Sequence, residues 1–112
     1  MRHVKLTHFT DEQILSEIYS SKTFYNNYSI QQGYTKENLK DHILKALEDN
    51  KKGNLRIDMS TGTVRDQEGH RSSFSNVNDW INADPEDKDP LYELVHLVKC
   101  DAIRYYNNTR FN

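Results

Sequence analysis

The sequence predicts an α+β fold: a small antiparallel sheet of three or four strands around a central β-hairpin (about residues 54–67), helices packed mainly on one face, and a long C-terminal helix (about residues 90–106). Three observations lead there. Leu55, Ile57 and Met59 alternate with Arg56 and Asp58 ahead of a Ser60-Thr61-Gly62 turn, the period-2 pattern of a hairpin strand. Two helix starts, at Thr10 and at Thr35, share one capping grammar. Asp89-Pro90 places an N-cap before a proline at the first helical position, and the longest helical pattern of the chain follows it.

Taken in order, Val4 and Leu6 alternate with polar neighbours and read as a first strand. Thr10 caps a helix from Asp11 to about Lys22, with Gln13 as its capping-box partner and Phe9 stapled onto Ile14. Ile14, Leu15, Ile18 and Tyr19 cover one side of it. The stretch from Ser20 to Gly33 admits two readings. Tyr25 and Tyr28 fall on the Ile14/Ile18 side and would extend the first helix, while Asn26-Asn27 and the nearby Ser and Thr favour a loop, which is the expectation adopted.

A second helix starts at Thr35 and buries Leu39, Ile43, Ala46 and Leu47; Asn50-Lys51-Lys52-Gly53 ends it, with Gly53 turning the chain out. Thr63-Val64-Arg65 returns as the hairpin partner, and after an Asp66-to-Gly69 turn His70 to Phe74 adds a short strand. Ser75 or Asn76 opens a short helical turn carrying Val77, Trp80 and Ile81, and an acidic linker from Asp84 to Asp89 precedes the last helix. Asn107-Asn108 is the expected stop of that helix.

At 112 residues the chain should form a single domain, residues 1–112. Leu, Ile, Val and Phe make up only a little over a fifth of it, enough to fold but with a thin core, so partner burial or homo-oligomerisation is an open alternative. One cysteine excludes an internal disulfide framework. The start Met1-Arg2-His3-Val4-Lys5 lacks the apolar run of a secretory signal, and with no long apolar stretch the expected location is cytoplasmic. A net charge of −2 suits neither a DNA mimic nor a generic nucleic-acid binder. The wealth of Asn, Lys, Tyr and Ile, all with A/T-rich codons, hints at an A/T-rich genome of bacterial or phage type.

The four glycines stand singly at turn positions, so there is no phosphate-cradling loop or dinucleotide fingerprint; paired-Cys metal sites and nucleophile elbows are also missing from the sequence. Glu93, His96 and Cys100 project within about 60° of one another on the last helix, a ligand-like spacing that chance on a boundary face explains as well. A fourth ligand would have to come from His3, His8, His42 or His70. His42 reads as a solvated face residue, and Asp58 and Asp66 flank the hairpin, where two facing carboxylates could hold a cation.

Two surfaces carry more weight. Leu91, Leu94, Val95, Val98, Ala102 and Tyr105 form one stripe of the last helix, Ile103 with Cys100 and Tyr92 a second, and Leu97 a third side. Such a helix is either central to the domain or shared with another chain. Tyr25, Asn26, Asn27 and Tyr28, together with the tail from Arg104 to Phe111, are rich in the residues that make interfaces. The expectation is therefore a non-catalytic interaction protein that binds another macromolecule, in the form of an inhibitor or accessory factor of phage or mobile-element type. Its interaction residues would be Tyr25, Tyr28, Tyr92, Arg104, Tyr106 and Arg110, with no cofactor, no metal and no membrane. The expected partner is another protein. The alternatives are a nucleic-acid-binding accessory or regulatory protein, for which Lys51, Lys52 and Arg56 mark a basic spot, and a metal-dependent protein or enzyme using Glu93, His96 and Cys100.

Overall fold

The computed structural model describes residues 2–20, 24, 27–73 and 76–111, residues 27, 73, 110 and 111 by their backbone alone. Its four strands form one antiparallel sheet in sequence order: β1 (His3–Lys5), β2 (Arg56–Asp58), β3 (Thr63–Asp66) and β4 (Gly69–Ser73). Its helices are α1 (Asp11–Ser20), α2 (Asn27–Gln31), α3 (Lys36–Lys52), α4 (Val77–Asn82) and α5 (Pro90–Phe111). The protein is thus α+β with a central hairpin and a long C-terminal helix.

The register explains the two faces of the sheet. Val4, Ile57, Val64 and Ser72 pair across the four strands, and the first three bring their apolar side chains to the face on which the helices pack. Alternation then puts Lys5, Arg56 and Arg65 on the opposite face. Ile57 and Val64 join Leu6, Ile14, Leu39, Ile43, Leu94 and Val98 in one core. α5 packs against α1, α3 and β2, and this explains its apolar circumference: it is the central helix of the domain.

Local chemistry set the helix starts as expected. Thr10 and Gln13 exchange the capping-box hydrogen bonds (2.8 and 3.1 Å). The Thr35 hydroxyl accepts from the Asn38 N–H, and Asp89 Oδ1 accepts from the N–H groups of Leu91 and Tyr92. At Gly62, with φ 74°, a Cβ would come within 2.7 Å of the Trp80 ring. Only glycine lets α4 dock on the hairpin turn, where Trp80 is buried and its Nε1 donates to the Met59 carbonyl at 2.6 Å.

Four expectations need correction. The stretch expected as a loop contains the short helix α2, and Phe24 before it is fully buried. Tyr25 and Asn26, like residues 21–23, 74 and 75, lie outside the described residues. The turn out of α3 is made by Asn54 (φ 58°) and not by Gly53 (φ −78°), because Asn tolerates the left-handed region through local hydrogen bonding. α5 runs through Asn107-Asn108 to Phe111, since Asn107 Nδ2 finds a tertiary partner in the Tyr34 hydroxyl at 3.1 Å and has no need to cap. His42 is half-buried, its ring set edge-on to Tyr106 with centroids 5.8 Å apart.

Candidate functional site

Two polar residues interrupt the apolar stripes of the two longest helices. Asn50 continues the Leu39–Ile43–Ala46 row of α3, and Asp101 continues the Leu94–Val98 row of α5. Where the helices pack together, both are only 5% exposed. The sheet supplies their counter-charge. Between Val64 and Arg65 the β3–β4 register slips, leaving Arg71 out of the pairing. The bulge re-aims its side chain. Arg71 Nη2 donates to both oxygens of Asp101 (3.0 and 3.2 Å), and Nη1 to Asn50 Oδ1 (3.2 Å) and Asp66 Oδ2 (3.4 Å). Asn50 Nδ2 donates in turn to Asp101 Oδ2 (2.9 Å) and the Ala46 carbonyl (2.8 Å).

This network floors an open cleft of about 460 Å³ whose rim includes Asp49, Lys52, Glu68, Arg104 and Tyr105. Burial works against the charge on Arg71, but Asp101 and Asp66 outweigh it and hold the guanidinium above its ordinary value. Arg104 adds a further ion pair to Asp101 at 3.4 Å, and the Tyr105 hydroxyl donates to Asp49 at 3.0 Å. Asp49 sits below the usual carboxylate value because Lys45 and Tyr105 hydrogen-bond to it. Among the described residues no buried side-chain polar atom lacks a partner. The cleft is therefore an internally satisfied brace joining α3, α5 and β4, with acids and bases in near balance.

On the outer side of α5, Cys100 Sγ lies 3.7 Å from His96 Nε2. Desolvation pushes the thiol up and holds the imidazole below its ordinary value, so both favour their neutral forms. A thiolate–imidazolium nucleophile needs the opposite pair of shifts. Glu93 is likewise raised by burial and by Asp89. Among the described residues, no three His, Cys, Asp or Glu side chains are gathered as metal ligands. Asp58 and Asp66 do not face each other: Asp58 pairs with Thr63 on the open face, while Asp66 pairs with Gly69 and turns to Arg71.

The expected interaction residues are dispersed. Tyr28 on α2 (65% exposed) and Tyr92 at the start of α5 (41%) face solvent. Arg104 is exposed but engaged with Asp101 and stacked over Tyr105. Tyr106 is drawn into packing against Tyr34, edge-on with ring centroids 6.0 Å apart. Tyr25 and the Arg110 side chain lie outside the described residues. Two features were not foreseen. Val77 (43% exposed) and Ile81 (55%) stand on one side of α4 beside the buried Trp80. Lys5, Arg56 and Arg65 align in register across three strands. The i, i+4 spacing of the first pair was visible, but which side of α4 meets the core was not. No helix is long and apolar enough to cross a membrane among the described residues.

None of the known family models, curated proteins or solved structures compared with this chain matches it.

Proposed function

We propose that this protein is a non-catalytic accessory domain that acts by binding another protein through apolar residues presented on its short helices. The supporting observation is α4. Trp80 anchors it to the hairpin turn, and Val77 and Ile81, which project within about 40° of each other, stay exposed. An apolar i, i+4 pair on a docked helix is the arrangement by which a helix enters an apolar groove. Desolvation of His96 and Cys100 disfavours a thiolate–imidazolium pair on α5. In this reading the protein is a cytoplasmic factor of phage or mobile-element type.

The test is affinity capture from the native host beside light scattering of the purified protein. Val77→Ser/Ile81→Ser should lose the captured partner while keeping the wild-type Tm. Equal capture by wild type and variant would remove α4 from the interface. Self-association lost in the variant would identify a second copy as the partner.

A further inference from the structure

We propose that the open face of the sheet binds the phosphate backbone of a nucleic acid. Lys5 pairs with Arg56, Arg56 with Arg65 and Arg65 with His70, so three cations and a histidine form one straight row across four strands. With strands about 4.8 Å apart, the cations span roughly 10 Å. Like charges directly opposite one another weaken a sheet. Among the described residues no carboxylate pairs with Lys5, Arg56 or Arg65; Arg56 has one hydrogen bond, to the Asn54 carbonyl at 3.1 Å. The acid in the neighbouring row, Asp58, is taken by the hydroxyl and N–H of Ser60 (2.6 and 2.9 Å), with His3 4.0 Å away.

The contrast with other cations of the molecule is sharp. Lys45, Lys51, Lys52, Arg71 and Arg104 each have an acidic partner. On a chain of net charge −2, three cations without a carboxylate partner among the described residues thus stand side by side on one flat surface. Charge complementarity therefore calls for a polyanion. The strand interval is of the same order as the rise between phosphates of a nucleic-acid strand, and arginine forks match phosphate oxygens. Neither row of the face, Lys5–Arg56–Arg65–His70 or His3–Asp58–Thr63, carries an aliphatic, Phe, Tyr or Trp side chain to enter a bilayer, and the rings in them are the imidazoles of His3 and His70. The three cations meet the backbone, a contact independent of sequence. This surface differs from α4, and the inference does not rest on the protein-binding reading.

The experiment is fluorescence anisotropy with a labelled duplex of about 20 base pairs, titrated at several salt concentrations. Binding should weaken with a slope of log K against log salt near −3, about −0.9 for each of three phosphates. Each of Lys5→Gln, Arg56→Gln and Arg65→Gln should reduce that slope by about one, and the triple variant should lose binding while its Tm equals or exceeds that of the wild type. Lys51→Gln/Lys52→Gln, whose cations already pair with Asp11 and Glu48, should bind as the wild type does. If the triple variant unfolds, the single variants decide. No binding by the wild type at low salt, or unchanged binding by the Gln variants, overturns the proposal. So does binding of phosphatidylserine vesicles or polyglutamate without binding of the duplex.

Discussion

Arg65 and Arg71 belong to adjacent strands of one sheet, yet their surroundings are opposite. Arg71, displaced by the bulge in β4, points to the helix side and meets Asp101, Asp66 and Asn50. Arg65, one step from the same bulge, points to the open face with Arg56 on one side and His70 on the other. The first charge is neutralised inside the fold, so the network braces α3, α5 and β4. The second stands beside Arg56 and has no carboxylate partner among the described residues. The difference shows that an arginine's role here follows from the side of the sheet it occupies.

That comparison can be broken most directly at Asp101. Asp101→Ala leaves Arg71 partly buried without its bidentate acceptor, and should cost about 3–5 kcal/mol, a large share of the roughly 5–15 kcal/mol that holds a domain of this size together. Asp101→Asn keeps the shape and a carbonyl acceptor and should cost clearly less. Urea denaturation with unchanged m-values is the measurement. A loss below about 1 kcal/mol for the alanine variant, within the range of an exposed pair, would mean the network is no brace.

A smaller effect of opposite sign is expected on the open face. Arg65→Gln removes a like-charge opposition and should leave stability unchanged or raise it by about 0.2–1 kcal/mol. Added salt should raise the Tm of the wild type more than that of the Lys5→Gln/Arg56→Gln/Arg65→Gln variant, because screening relieves what the variant lacks. A clear destabilisation by Arg65→Gln would show that the row is structurally compensated after all.

The smallest effect concerns His96. Burial, helped by Lys99, holds its imidazole below the ordinary value of 6.5. As pH falls below that value the unfolded chain takes up the proton before the folded one does, so the contribution to stability present above it is lost. Tm should therefore fall between about pH 7.5 and 5.5 more steeply in the wild type than in His96→Asn. Identical profiles would show that the site is fully hydrated.

Much of the fold was legible because it rests on short-range chemistry. The caps at Thr10, Thr35 and Asp89, the stripe Leu39–Ile43–Ala46–Leu47 and the alternation through Ile57 are each decided within a few residues. The misplaced features depend on distant partners. The helix α5 outruns Asn107 because of Tyr34, 73 residues away in sequence. Asn50 and Asp101 were visible as polar breaks in apolar rows, but their meaning required Arg71, and Arg71 required a bulge that leaves no mark in the sequence.

By itself, then, the sequence determined the α+β class, the order of the strands and longer helices, and the inward faces of β2, α1 and α3, since periodicity and capping are local properties of the chain. Tertiary structure decided the register that lines up Lys5, Arg56 and Arg65, the bulge that sends Arg71 to Asp101, and the docking of Trp80 on Gly62. Pairing and packing join residues far apart in the chain, so the charges that find partners and those that do not are known only once the strands and helices have met.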